Sequence, residues 1–311
     1  MVNKHFGKLC AIVVTYNIGS KYRENFDSII PQVDRIFIID NGSDQGTVSL
    51  LKKLQEENPE KVKIVFNEKN AGLAKAQNIG LSHALEEEFD WVLLLDHDSW
   101  AHLDMIHNMG IALNNYPERE RVGLIAPYLK EINVDRQPRY IVPRYKILFE
   151  RKYFGTTRVM DDVLCVIASG SLIRMDVIRK LGKFREDFFI DYIDSEFCMA
   201  LIVNGWKILV VRDAILKHSL GNKHLHNFLS LEVVTTNHSP ERRYTIYRNR
   251  VYLWKKYLFT VPAYIVFDIT AAGYDLLRIL LFEKNRRKKF VQAVKGGLMG
   301  LGGIGWCAKR F

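Results

Sequence analysis

The sequence predicts an α/β protein: a mostly parallel, doubly wound sheet flanked by helices, with a helical extension at its C-terminal end. Short β-rich apolar runs alternate with helical stretches from Lys8 to Asp98, the signature of parallel strands joined by helical crossovers. Each of these runs ends in polar residues, and two of them end in Asp. Charge is the third observation. Residues 241–311 carry 15 Lys/Arg against 4 Asp/Glu, a net of +11, so the preceding 240 residues sum to −1.

Lys8 to Val14 reads as a buried first strand, with Thr15, Tyr16 and Asn17 at and just past its end. Lys21 to Ile30 can form a helix that stops at Pro31. Arg35 to Ile39 is a second strand closing in Asp40-Asn41-Gly42-Ser43, and a helix follows from about Thr47 to Glu57. Val62 to Asn67 is a third strand. Asn70-Ala71-Gly72 then opens a helix with Leu73, Ala76, Gly80 and Ala84 on one narrow face. The fourth strand, Trp91 to Leu95, ends in Asp96-His97-Asp98. Ligands of open α/β sheets lie at the carboxyl ends of strands. Carboxylates at i and i+2 of an extended segment project to the same side. Asp96 and Asp98 are therefore candidates to hold one divalent cation against the diphosphate of a sugar nucleotide.

The pattern weakens from Val122 to Met160, where Pro127, Pro138 and Pro143 interrupt it and Tyr140, Arg144, Tyr145, Arg151 and Tyr153 are dense. A loop or hairpin region over the sheet is predicted there. Val163 to Ala168 is apolar enough for another strand, leading into Ser169-Gly170-Ser171. Such a small-residue turn lets a ligand approach the backbone, or is simply the turn before Leu172. Phe188 to Leu201 sets Asp191, Asp194 and Glu196 in strongly apolar surroundings. Asp194 stands where a helix would begin, so it reads either as a cap or as a general base with a pKa raised by burial. Asp191 and Glu196 are further candidates. Lys207 to Val211 is a strand, and His218 could complete a metal site with the two aspartates.

An apolar content of 48% over 311 residues can fill the core of one large or two small domains. The first residues are polar and lead straight into a strand, so no signal peptide is expected. Cys10, Cys165, Cys198 and Cys307 form no C-x-x-C pair, which points to a reducing cytosol and away from a zinc site or disulfide frame.

Taken together, the motifs resemble a known family. Ile12 to Asn17, Asp40-Asn41-Gly42-Ser43, Asn70-Ala71-Gly72 and Asn78-Ile79-Gly80 occur in the order seen in family 2 inverting glycosyltransferases of GT-A fold. Leu95 to Ser99 stands where that family has its D-x-D motif. Phe189 to Cys198 and Arg242 to Arg250 look like motifs of its bacterial rhamnosyltransferase branch. The resemblance implies that Thr15, Tyr16, Asn17, Asp40, Asn41, Asn70, Gly72, Asn78 and Asp96 line the nucleotide-sugar site. It implies Mg²⁺ or Mn²⁺ on Asp96, Asp98 and His218, with Asp194 as general base and Asp191 as the second candidate. Ser169, Gly170 and Asp191 would face the acceptor. His97 departs from the all-acid form of the motif and lessens its negative charge. The implied reaction is hexosyl transfer with inversion, from dTDP-L-rhamnose to a saccharide or polyprenyl-diphosphate-linked acceptor of a cell-surface polysaccharide. Relatives that move galactofuranose, glucose or N-acetylhexosamine from UDP-sugars are the alternative.

The expected organisation is a catalytic domain over 1–240, its nucleotide-binding half about 1–121 and its acceptor-binding half about 122–240, and a basic amphipathic extension over 241–311. Tyr257 to Phe282 is strongly apolar but broken by Pro262, Asp268, Asp275 and Arg278, so no run reaches the roughly 20 residues that span a bilayer. A basic cluster, Lys284 to Lys289, and a glycine-rich tail from Gly296 to Trp306 follow. Apolar faces beside such a cluster suit helices lying in an anionic membrane interface, here the cytoplasmic face of the cell membrane. Packing on the catalytic domain or a homodimer interface is the other use of these helices. Two non-enzymatic readings compete: a silent glycan- or membrane-binding protein, and a nucleic-acid binder using the basic end. The slightly acidic remainder disfavours the latter.

Overall fold

Strands β1 (Leu9–Thr15), β2 (Arg35–Asp40), β3 (Val62–Phe66) and β4 (Trp91–Asp96) alternate with helices α1 (Tyr22–Ile29), α2 (Gln45–Glu57) and α3 (Leu73–Glu86). The structure, a computed structural model, describes residues 5–19, 21–131, 137–218, 224–228 and 231–302. Within the sheet, β3, β2, β1 and β4 lie side by side and all run parallel. Their near-continuous apolar runs have a two-sided reason. Ile12, Phe37 and Leu94 pack on the face covered by α3, whereas Ala11, Val13, Ile36, Ile38 and Leu93 pack against α1 and α2. The doubly wound α/β architecture expected from the sequence is what forms.

The second half extends the same sheet. After β5 (Trp100–Ala101) and α4 (Met105–Asn115) comes β6 (Val122–Glu131). A hairpin of β7 (Tyr140–Pro143) and β8 (Phe149–Lys152) follows, then β9 (Val159–Met160), β10 (Leu172–Arg174), α5 (Met175–Leu181), α6 (Ile193–Val203) and β11 (Lys207–His218). β10 is antiparallel between β4 and β6, and β11 runs parallel to β6. Beyond them β12 (His224–Phe228) and β13 (Leu231–Thr235) pair with each other.

Two sequence expectations are corrected here. Val122 to Glu131 is a sheet strand, not a loop, although the hairpin expected in this region does form as β7 and β8. Pro127 is tolerated because the register of β11 shifts between Val211 and Ile215, opposite that proline, where a ladder N–H is missing. Val163 to Ala168 is not a strand. Val163, Leu164 and Val166 are buried in the α3-side core instead of pairing, and the sheet strand is the three-residue β10 downstream.

Three helices end the described chain: α7 (Pro240–Tyr257), α8 (Pro262–Phe282) and α9 (Arg286–Gly302). The acids that interrupt the apolar run of α8 point inward. Asp275 pairs with Arg243 (2.8 Å) and Arg278 (2.8 Å), and Asp268 accepts from Trp254 Nε1 (2.7 Å) and Tyr192 (2.8 Å). Glu283 is likewise buried between Arg243 (2.5 Å) and Lys289 (2.9 Å). The glycines of α9 have a packing reason. A Cβ on Gly296 would stand 2.1 Å from Tyr244 O, and one on Gly300 2.5 Å from Arg248 O, so α9 crosses α7 nearly backbone to backbone. Ile269, Leu277 and Leu281 of α8 and Val291, Val294, Leu298 and Leu301 of α9 remain exposed. No helix among the described residues is long and apolar enough to cross a membrane. The rest of the glycine-rich tail, with Cys307, lies outside the described residues.

Candidate active site

The carboxyl ends of β1 and β2 meet in one polar knot. Asp40 is almost fully buried, and its carboxylate accepts from Thr15 Oγ1 (3.0 Å), Ser43 N (3.0 Å) and Ser43 Oγ (2.5 Å). Asn17, in a left-handed conformation, accepts from Asp44 N (2.9 Å), while Tyr16 beside it is exposed. Asn41 sews this turn to the next. Its amide donates to Asn70 Oδ1 (3.0 Å) and accepts from Ala71 N (3.0 Å). Gly72 has φ +90°, and a Cβ there would sit 2.6 Å from the Phe189 ring, so only glycine lets these two segments meet. Asn78 departs from its expected place. Its amide donates to Phe184 O (2.8 Å) and Glu186 Oε1 (3.1 Å) and accepts from Phe184 N (2.9 Å), which ties α3 to the 184–186 segment rather than facing a ligand.

Asp96 closes β4, and the turn that follows carries Asp98. A carboxylate oxygen from each and a ring nitrogen of His218 lie within 4.8 Å of one another. Around a single cation with ligand distances near 2.1–2.2 Å, donor atoms are separated by up to about 4.3 Å, so shifts of a few tenths of an ångström would let all three bind. Two carboxylates with one imidazole suit Mn²⁺, and also Mg²⁺ completed by phosphate oxygens and water. Burial, and then the Asp98 charge, raise the Asp96 pKa to about 6, which is the environment a cation would relieve.

Two serines hold this group together. Ser99 Oγ lies 2.7 Å from His218 Nδ1 and 2.8 Å from Ser169 Oγ, and the Asp96 N–H donates to Ser169 Oγ (3.0 Å). Gly170 donates its N–H to Leu94 O (2.7 Å), and a Cβ on it would meet Pro127 at 2.7 Å. Ser169, which also lines a cavity of about 210 Å³ with Pro127 and Tyr264, and Gly170 thus have a bracing part apart from any acceptor contact. Both are buried, and both brace the end of β4. Sequence reasoning missed Ser99, whose only signal was its place directly after the aspartates.

Asp194 lies in the first turn of α6. Its half-buried carboxylate accepts from Ser195 N (2.8 Å) and has no salt bridge among the described residues. Burial raises its pKa to about 6, opposed by that backbone N–H and reinforced by the charges of Asp191 and Asp96. The turn before α6 is unusual: Phe189, Asp191 and Tyr192 all have positive φ (59°, 66° and 67°). Each such non-glycine residue costs of order 1 kcal/mol or more, so something must hold the turn. Helix α7 does. Asn249 Nδ2 donates to Phe188 O (3.1 Å), Ile190 O (3.1 Å) and Asp191 O (2.9 Å), while its Oδ1 accepts from Arg248. Arg242 occupies both Asp191 oxygens (3.0 Å each), which leaves Asp191 poorly placed to take a proton. Glu196 is engaged by Lys256 (2.6 Å) and Tyr257 (2.9 Å). Asn249 lies in the Arg242 to Arg250 stretch, which the resemblance marked without giving this residue a part. Asn249→Ala is expected to lower the unfolding free energy by about 2–4 kcal/mol, since it strands several buried partners. Denaturant unfolding would measure this, and an unchanged midpoint would show that the turn is held otherwise.

Comparison with known proteins adds to this geometry. Residues 10–182 match the model of glycosyl transferase family 2. The chain belongs to that family. As a family 2 glycosyltransferase it is 27% identical over 312 residues to the dTDP-rhamnosyl transferase RfbF of Shigella flexneri, covering 95% of this chain and 97% of that protein. It is 25% identical over 252 residues to the galactofuranosyltransferase GlfT1 of Mycobacterium tuberculosis, covering 78% and 81%. Among solved structures, S. aureus TarS 1–349 in complex with UDP-GlcNAc superposes with a TM-score of 0.63 at 18% identity, covering 94% of this chain and 81% of that one. GalNAc-T7 with UDP, GalNAc and Mn²⁺ gives 0.63 at 14%, covering 98% and 57%. The expected GT-A fold is therefore the observed one.

Proposed function

We propose that this glycosyltransferase moves L-rhamnose from dTDP-L-rhamnose, with inversion, to a saccharide acceptor carried on a polyprenyl diphosphate, for a bacterial cell-surface polysaccharide. The observation that carries the transfer chemistry is Asp194: a half-buried carboxylate without a cationic partner among the described residues, close enough to Asp96 to feel its charge. The rhamnosyl choice is supported by likeness to a dTDP-rhamnosyl transferase along nearly the whole of both chains.

Thr15, Tyr16, Asn17, Asp40 and Asn41 would form the nucleoside end of the site, with Asn70 and Gly72 fixing its wall. Asp96, Asp98 and His218 would hold Mg²⁺ or Mn²⁺. When bound, the cation neutralises charge that builds on the leaving nucleoside diphosphate. Asp194 takes the proton of the acceptor hydroxyl. The oxygen of that hydroxyl attacks the anomeric carbon as the bond to the diphosphate breaks on the opposite face, which inverts the configuration. Residues 1–240 would carry this chemistry. The exposed apolar faces of α8 and α9, next to the exposed Lys284, Arg286, Arg287 and Lys288, would lie on the anionic cytoplasmic face of the cell membrane.

The test is a panel of nucleotide sugars assayed for Mn²⁺-dependent hydrolysis and transfer. dTDP-L-rhamnose is expected to exceed UDP-galactofuranose, UDP-glucose and UDP-N-acetylhexosamines in kcat/KM. Preference for a UDP-sugar would replace the rhamnosyl reading, and no turnover of any donor would leave a silent binding protein.

A further inference from the structure

A cavity of about 700 Å³ opens between α7, α8, the end of β8 and the Asp191–Ser195 turn. None of its lining comes from β1, β2 or β4, so it is separate from the nucleotide end and the cation trio. Four guanidinium groups, from Arg151, Arg243, Arg250 and Arg278, line it against two carboxylates, Asp191 and Asp275. Asp275 is shared by Arg243 and Arg278, Arg243 also pairs with Glu283, Arg250 with Asp268 and Asp191 with Arg242, while Arg151 is in no ion pair among the described residues. Positive charge is therefore in surplus at the wall. Three guanidinium nitrogens there, Arg243 Nε, Arg250 Nη1 and Arg278 Nε, are buried with no hydrogen-bond acceptor among the described residues. A buried charged donor without an acceptor is costly, so these side chains keep hydrogen-bonding capacity beyond their carboxylate partners.

We infer that this cavity seats a phosphate or diphosphate group carried by the acceptor. Arginine forks match phosphate oxygens in geometry as well as charge. The cavity shares the turn that positions Asp194, so a group anchored there presents its sugar to that carboxylate. Its outer rim is Tyr274, 54% exposed, which continues into the apolar face of Ile269, Leu277 and Leu281. An anionic head group attached to an apolar chain is the chemistry this juxtaposition fits. His238, also on the wall, has its pKa lowered to about 4 by burial and by Arg242 and Arg243, which accords with a positive potential there.

The inference rests on the transferase reading, so two measurements keep their failures apart. The first titrates inorganic pyrophosphate into the full chain in EDTA, with no nucleotide present. Wild type is expected to bind it, and Arg151→Gln, at an exposed strand position, to bind about tenfold more weakly. Arg278→Gln serves as the second variant. The second measurement compares kcat/KM for one acceptor sugar with and without a 1-diphosphate. The preference for the phosphorylated form is expected to fall about tenfold in Arg151→Gln. Further arms use the 1-diphosphate with and without a short polyprenyl chain. A gain from the chain assigns the phosphate to a lipid carrier, and equal rates assign it to a free sugar diphosphate. Absence of pyrophosphate binding, or the same acceptor preference in both variants as in wild type, overturns the anion site. A wild type that binds pyrophosphate yet transfers no sugar overturns the transferase reading instead.

Discussion

Asp194→Asn is expected to lower kcat by about 10²- to 10⁴-fold, the range by which a positioned general base accelerates proton transfer, while donor affinity stays close to wild type. The sign of the pH dependence follows from the raised pKa. Only the ionised carboxylate can accept a proton, so wild-type activity should rise through pH about 6 and level off above it. Asp96 shares that region only without a cation; a bound cation would hold it ionised and leave the acid limb to Asp194. Stability runs the other way. A carboxyl whose pKa is about 6 when folded and about 3.9 when unfolded favours folding at low pH, and loses that contribution as pH rises through 6. The amide variant escapes this loss and should be more stable than wild type by about 1–2 kcal/mol at pH 7.5, after allowing for partial exposure. A variant that is both more stable and inactive would separate a catalytic role from a structural one. Full turnover in Asp194→Asn would remove this residue from the mechanism.

Removal of the divalent cation is expected to have a comparable or larger effect. Chelation with EDTA should lower turnover by about 10³-fold or more, because electrostatic stabilisation by a bound cation is worth several kcal/mol. Asp98→Asn leaves one carboxylate and His218, so excess Mn²⁺ should restore part of its activity. Mn²⁺ should also raise the melting temperature of wild type in proportion to its affinity, and that of Asp98→Asn much less. Activity undiminished in EDTA would show that the trio serves another purpose.

Much of the fold was legible because its first half obeys a simple rule. Strands buried on both faces need unbroken apolar runs, and β1, β2 and β4 have them. The second half was harder for a specific reason. Pro127 looks like a break until the irregularity in β11 opposite it is seen, and no local pattern announces that irregularity. Val163 to Ala168 has strand composition but fills the core from an irregular path, a choice made by tertiary packing. Within the site, Asp96, Asp98 and His218 were brought together across more than a hundred residues, as their chemistry suggested. The backbone ties of Asn78 and Ser169 were not legible because an amide or hydroxyl reads the same whether it meets a ligand or the backbone. The cationic cavity was invisible for the same reason: its arginines come from a strand and two helices, with no shared spacing.

The crossing of α9 over α7 at Gly296 and Gly300 has a mechanical consequence. With main chain against main chain there is no compressible layer of side chains between the helices, so a push on α9 is transmitted to α7 without slack. Through Asn249, α7 grips the turn that carries Asp194. The outer surface of the C-terminal helices and the proton-accepting carboxylate are thus linked like two ends of one stiff lever. Whatever fixes the attitude of the first fixes the aim of the second.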